Sequence, residues 1–364
     1  MRIAIDARLY GLEHRGLGRY LKELVPRLVK AAPAMDFVLI LDPRNRDKPE
    51  GLPPNVSVVN VPIHVYTVAE QWRLPGMLLR AGVSLTHFPH FAVPLASPRP
   101  FVLTLHDLIL HQFPSSRATT QPLPIYRLKL AGYRLVLSIA LRRAQMVMVP
   151  SQSVADDVSR FYPWAARKLV VIPLAPGAPT KAASIRLPQG PYVLIVGAAY
   201  PHKNLERAIE AVELARREVR DLRLVIVGRR DVFMDRLGRY VQQRGLQQVV
   251  QFWGEASEGE LAALYQGAAC YLQPSLAEGF GFGPLEALQY GCRVVAADIP
   301  VLREVLHHSA IFADPYQPDH MSDAILKSLR TTVEQPVAAV LQRYSWERVA
   351  EQTLSVYRQS ISRR

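Results

Sequence analysis

Glu278-Gly279-Phe280-Gly281-Phe282-Gly283-Pro284-Leu285-Glu286 is the stretch on which the reading of this 364-residue chain turns. Two carboxylates stand eight residues apart, with three glycines and a proline between them. The apolar run Ala269-Cys270-Tyr271-Leu272-Gln273 precedes it, and Leu285, Ala287 and Leu288 follow at helical spacing. That order predicts a strand, a glycine-rich loop and a helix. Glycines let a backbone approach a ligand closely. Pro284 suits the first helical turn, where its missing N–H costs nothing. A helix N-terminus behind such a loop is a ready anion site. The carboxylates accept hydrogen bonds from hydroxyls. A phosphate cradle beside hydroxyl acceptors is what a nucleotide sugar needs. Glycine-rich turns with a nearby acid are common in α/β proteins, so the rest of the chain has to support the reading.

Around this segment, strand-like and helix-like stretches alternate. The first half reads as strands at 1–7, 37–41, 56–61, 83–88, 101–105 and 146–149, with a helix at 18–30 marked by Tyr20, Leu21, Leu24 and Leu28. Five prolines and two glycines between Ile172 and Pro191 read as a linker. A second alternation follows, with strands at 192–197, 222–228, 249–253, 269–273 and 294–297 and helices at 204–217, 232–244, 258–266 and 284–290. The expectation is α/β: two doubly wound domains facing across a cleft, residues 1–173 and 191–345, joined by a linker at 174–190. Ligands of such sheets bind at the C-terminal ends of the strands.

Composition bounds the rest. At 49% apolar the chain has material for real cores. Cys270 and Cys292 are too few for a disulfide framework and read as buried free thiols in a reducing compartment. No basic leader followed by a long apolar run opens the chain, and no stretch of 18 uninterrupted apolar residues exists. Neither a signal peptide nor a spanning helix is expected, and a cytoplasmic location follows. The net charge of +13 is uneven: residues 1–173 hold 22 Lys/Arg against 11 Asp/Glu, residues 174–364 hold 22 against 20. Between Asp107 and Asp156 there is no acid at all, only Arg117, Arg127, Lys129, Arg134, Arg142 and Arg143 among apolar and aromatic residues. That stretch, residues 117–143, is a candidate contact for an anionic membrane surface or an anionic acceptor. A nucleic-acid partner is not expected, because no recognition motif accompanies the charge.

The segment from Glu278 to Glu286 resembles the E-x7-E motif of retaining glycosyltransferases of family 4, and the likeness extends along nearly the whole chain. Val196-Gly197-Ala198-Ala199-Tyr200-Pro201-His202-Lys203-Asn204 is similar to the V-G-x-x-x-P-x-K-N of the mannosyl- and rhamnosyltransferase-like branch. His106-Asp107 ends a strand as H-D does in that family, and Tyr344-Ser345-Trp346 opens a closing helix, at about 346–364, that in the family returns to the first domain.

The resemblance implies two Rossmann-like domains in a GT-B architecture and transfer of a hexose from a nucleotide-diphosphate sugar, GDP-mannose as first choice. The first domain would bind a saccharide or lipid-linked acceptor, the second the donor. His106, Glu278 and Lys203 would be catalytic, with Glu278 positioning the sugar rather than attacking it. Gly16, Gly18, Gly197, Lys203, Arg229, Phe282, Gly283, Pro284, Leu285 and Glu286 would hold the donor, with Glu286 on the ribose. Arg19 and Tyr20 are implied acceptor contacts. Gly16 to Tyr20 is read as a loop between the first strand and first helix. No D-x-D motif exists and no metal or other cofactor is expected. An epimerase on the same scaffold and a non-catalytic basic subunit are the alternatives.

Overall fold

A computed structural model describes residues 1–11, 14–330 and 337–362. In chain order the strands are β1 Arg2–Asp6, β2 Asp36–Leu41, β3 Val56–Asn60, β4 Leu85–Phe88, β5 Phe101–Thr104, β6 Met146–Val149, β7 Leu169–Val171, β8 Tyr192–Val196, β9 Arg223–Val227, β10 Val250–Gly254, β11 Cys270–Gln273, β12 Val294–Ala297 and β13 Ile311–Ala313. The helices are α1 Arg15–Ala31, α2 Val68–Arg80, α3 Ile109–Gln112, α4 Leu123–Arg143, α5 Gln152–Phe161, α6 Leu205–Ala215, α7 Val232–Gln243, α8 Glu258–Gly267, α9 Phe282–Gln289, α10 Pro300–Leu306, α11 Pro318–Arg330, α12 Val337–Leu341 and α13 Trp346–Ser362.

Two compact units result. One comprises Met1–Leu108, Gln121–Leu174 and Ser345–Arg364; the other comprises Ile109–Thr120 and Ala175–Tyr344. The first holds a parallel sheet in the order β3-β2-β1-β4-β5-β6-β7, the second a parallel sheet in the order β10-β9-β8-β11-β12-β13. Central strands such as Ile3-Ala4-Ile5 and Val193-Leu194 are buried without alternation, as sheets covered by helices on both faces require. Each order reverses once, between β1 and β4 and between β8 and β11, and these switch points are where doubly wound sheets open a ligand crevice.

Several boundaries differ from expectation. The first sheet has a seventh strand, β7, and the second ends in β13, each only three residues long. The excursion Ile109–Thr120 belongs to the second unit, where Arg117 pairs with Glu206 and its carbonyl accepts from Arg236 Nη1 at 3.0 Å. The closing helix is observed as α13, and residues 363–364 lie outside the described residues. Within the first unit it packs on α1, and Arg27 Nε donates to Glu347 Oε1 at 3.0 Å. Both cysteines are buried and free. Among the described residues no helix is long and apolar enough to cross a membrane.

Candidate active site

The second unit carries the most complete constellation, at its β8–β11 switch point. After β8, Pro201–Lys203 forms one tight turn, and Asn204 follows with φ 59° as the N-cap of α6. The Asn204 side-chain amide donates to Pro274 O at 3.1 Å and Pro315 O at 2.7 Å, while its oxygen accepts from Arg207 Nη1 at 3.0 Å. Leu276 N donates to His202 O at 2.8 Å. These bonds sew the loop after β8 to the loop after β11. They bring Lys203 Nζ to 2.7 Å from Glu278 Oε1. Sequence placed Lys203 at a phosphate and Glu278 at a sugar; the structure joins the two in one partly buried ion pair. Lysine has three N–H donors, so this bond leaves others for a ligand.

Glu278 is held by more than Lys203. Gln273 Nε2 donates to Glu278 Oε1 at 2.5 Å and to Ser275 Oγ at 2.8 Å. Tyr271 Oη donates to Gln273 Oε1 at 2.6 Å, which fixes which end of the amide faces the carboxylate. Burial raises the Glu278 carboxyl, but the Lys203 charge and bonds from Lys203 and Ser275 override it and hold the group below its ordinary range. The carboxylate therefore stays ionised at neutral pH. Tyr271, Gln273, Ser275 and Asn204 had no role in the sequence reading. Asn204 stood inside a quoted motif; for the others the only signal was polar residues at the end of an apolar strand.

The glycine-rich loop behaves as its sequence requires. Gly281 enters α9 at φ 100°, a region open to glycine. Phe282, Gly283, Pro284 and Leu285 form the first turn of α9, and Glu286 lies buried on it, with Tyr265 Oη 3.4 Å from its Oε2. A Cβ at Gly283 would stand 2.2 Å from Tyr271 Oη, so this glycine is required by the tyrosine that orients Gln273. Gly197 closes β8, its N–H donating to Val227 O at 2.8 Å. Arg229, just past β9, is exposed and enters no ion pair among the described residues.

In the first unit, His106 follows β5 half-buried, its Nε2 3.0 Å from Pro89 O. A carbonyl only accepts, so Nε2 carries the proton and Nδ1 is the acceptor. Burial drives the imidazole down to about 4, against the bond to Pro89, so the ring is neutral near pH 7.

Two expectations for this unit are corrected. Gly16 and Gly18 lie within the first turns of α1, not in a loop before it. Gly18 is buried, and a Cβ there would fall 1.8 Å from Gly11 O, so its role is close packing. Tyr20 is 2% exposed and cannot touch an acceptor. Its hydroxyl lies 3.1 Å from Thr104 Oγ1 and its ring meets His106 edge-on at 4.7 Å. It supports His106 from behind, and Arg19 beside it is half-buried. His87 completes this support, 2.8 Å from Thr104 Oγ1 and 2.7 Å from Tyr357 Oη on α13. Among the described residues no group of three or more His, Cys, Asp or Glu side chains stands together as a metal site would.

The basic stretch also divides. Arg117 is committed to Glu206 in the second unit, and Arg143 donates to Leu95 O and Ser97 O. Arg127, Lys129 and Arg134 remain exposed on α4, beside Leu123, Ile125, Leu135 and Leu128, the last 75% exposed.

Residues 14–175 match the family model described as Glycosyltransferase Family 4, and residues 179–344 match the one described as Glycosyl transferases group 1. Over 263 residues the chain is 28% identical to the O-antigen chain mannosyltransferase RfbU of Salmonella typhimurium, covering 72% of this chain and 69% of that protein. It is 26% identical to O-antigen chain mannosyltransferase B of Escherichia coli, over 94% of this chain and 96% of that one. Sucrose-phosphate synthase from Thermosynechococcus elongatus is similar in structure over 100% of both chains, with a TM-score of 0.75 and 21% identity. Anabaena HepE, solved with UDP and glucose, covers 98% of each chain with a TM-score of 0.71 and 18% identity. At such identities the structural likeness speaks for the fold alone.

Proposed function

Because this chain belongs to the GT-B glycosyltransferases, the family 4 and group 1 models matching its two halves, we propose that it moves a hexose from a nucleoside-diphosphate sugar to a saccharide or lipid-linked saccharide in bacterial glycan assembly. Mannose from GDP-mannose is the first choice, supported by the O-antigen mannosyltransferases among its relatives. The observation that carries the reading is the Lys203–Glu278 pair at the β8–β11 switch point beside the start of α9. The epimerase alternative has no support in these likenesses and is set aside.

In this reading the bond between the anomeric carbon and the diphosphate oxygen breaks. The acceptor hydroxyl oxygen bonds to the same face of that carbon, and its proton leaves with the diphosphate. Lys203 and the first N–H groups of α9 meet the charge growing on the phosphates. Glu278, already engaged by Lys203 and Gln273, receives sugar hydroxyls and holds the ring in place. Glu286 takes the ribose, and Arg229 reaches the diphosphate. Neutral His106 offers Nδ1 to a hydroxyl of the donor sugar. Configuration is retained and no metal takes part; the absence of D-x-D is the sequence feature behind the latter.

A panel of GDP-, UDP- and dTDP-sugars tests this. GDP-mannose should raise the melting temperature most, since a ligand that binds only the folded state stabilises it. Transfer should run in EDTA, and proton NMR should find the donor's anomeric configuration in the product. An inverted product, or activity lost in EDTA and restored by magnesium or manganese, contradicts the mechanism.

The acceptor side we assign to an anionic membrane surface. Arg127, Lys129 and Arg134 stand on α4 with its exposed leucines, and α2 adds an outward stripe of Val68, Leu79 and Trp72, the last 81% exposed. Each basic side chain near such a surface adds about 1 kcal/mol. Sedimentation with anionic vesicles should fall as salt rises, because exposed charges are screened over about 10 Å at 0.1 M. Equal binding to neutral vesicles, or none to anionic ones at low salt, removes this assignment.

A further inference from the structure

Tyr66 sits on the turn between β3 and α2 with φ 67°, a conformation that costs a side-chain-bearing residue energy and that clusters at functional sites. The turn is fixed from below. Arg8, fully buried, bonds Asp6 through two 2.7 Å contacts and also pairs with Glu70, and Glu70 Oε2 accepts from Tyr66 N at 2.8 Å. A buried ion cluster thus fixes the backbone that presents this one ring. The residue is only partly covered in return: Tyr66 is 56% exposed.

Its inner side is occupied by other aromatics. It stacks on Phe91 with centroids 5.3 Å apart and planes at 30°, and lies 5.9 Å from His90. Phe91 meets Tyr133 of α4 edge-on at 4.7 Å. The loop that carries Phe91 also holds Pro89, whose carbonyl bonds His106. Burial and then the carboxylates of Glu70 and Asp107 push the Tyr66 phenol up, and Asp107 likewise acts on Tyr133. Asp107, next to His106, thus acts electrostatically on both phenols.

We propose that Tyr66, backed by Phe91, is the platform on which a pyranose ring of the acceptor saccharide lies, with Asp107 receiving its hydroxyls. The proposal deepens the glycosyltransferase reading and rests on it. An exposed aromatic face suits the apolar C–H face of a sugar, and carboxylates suit its rim of hydroxyls. The platform stands at the C-terminal edge of the sheet that also presents His106, where doubly wound sheets bind ligands. A tyrosine held protonated adds a hydrogen bond at the ring edge.

The test is saturation-transfer NMR on the full chain with a nucleoside diphosphate present, using methyl α-mannopyranoside, methyl α-glucopyranoside and methyl α-rhamnopyranoside as probes. At least one should receive saturation at its ring C–H protons. Tyr66→Ala should weaken that glycoside about tenfold, roughly 1.4 kcal/mol, and Tyr66→Phe should keep most of the binding. Trp72→Ala, on the α2 stripe, should bind as the native chain does. Donor hydrolysis by Tyr66→Ala should be unchanged. If that variant fails to melt cooperatively, Tyr66→Leu, which keeps apolar bulk without a ring face, must show the same loss. No binding by the native chain, native binding by the ring-free variants, or an equal loss in Trp72→Ala overturns the platform. Failure of every nucleotide sugar to be hydrolysed would strike the donor reading instead, and glycoside binding would still be measured directly.

Discussion

Lys203→Ala is expected to lower turnover on the true donor by about 100- to 1000-fold, the usual cost of one lost charge-stabilising donor. The ammonium is poised for this work: 2.7 Å from Glu278, partly exposed, and held at the switch point by Asn204. The same substitution should leave a signature in the pH profile. Burial alone raises Glu278, and Lys203 is the first influence that lowers it, so removing the lysine lets the carboxyl rise. The acid limb of kcat/KM should move to higher pH. The stability effect has the matching sign. A carboxyl depressed in the folded state stabilises fully above its unfolded value, near 4.5, and loses that contribution as pH falls through the folded value. The melting deficit of the variant should therefore be largest at neutral pH and shrink in acid. Near-native kinetics, or an acid limb that does not move, would refute the role given to Lys203.

Gly283→Ala should be nearly as damaging, for a reason of space. The added carbon would stand 2.2 Å from Tyr271 Oη and 3.0 Å from Cζ. Tyr271 is fully buried and rigid, and its hydroxyl cannot retreat without releasing Gln273 Oε1. Overpacking of this kind costs about 1–3 kcal/mol. A freed Gln273 can then turn its oxygen toward Glu278, replacing attraction by repulsion, so turnover should fall beyond what instability explains. Tyr271→Phe alone removes one hydrogen bond, a smaller loss. Placed together, Tyr271→Phe should recover part of the melting temperature lost in Gly283→Ala. Strictly additive losses in a double-mutant cycle would show that the two residues do not meet.

Much of this site was legible because its parts are local. The Glu278–Glu286 segment carries glycines, proline and carboxylates within one strand–loop–helix, and Lys203 follows its strand closely. What escaped was of four kinds. β7 and β13, three residues each, are too short to show a period. The start of α1 was misplaced because His14 makes no side-chain cap and two glycines in the first turns imitate a loop. Tyr20 was assigned to an acceptor although it shares the apolar stripe of Leu21, Leu24 and Leu28; that stripe was in the sequence and pointed to burial. Pairings over long separations, such as Arg117 with Glu206 or Asn204 with Pro315, leave no trace in local pattern.

The bond between His87 and Tyr357 joins residues 270 positions apart. Chains emerge from the ribosome at about 5–20 residues per second, so roughly 15 to 50 s separate the two partners. All seven strands of the first sheet are made before the first strand of the second sheet, yet the helix that packs on α1 and bonds His87 follows both sheets. The order of completion is thus the reverse of the order of synthesis. Through that interval the nascent first unit holds an open seam at Tyr20, whose ring lies 6.1 Å from that of Trp346, the kind of apolar surface chaperones bind. A fragment ending before Trp346 would keep that seam permanently.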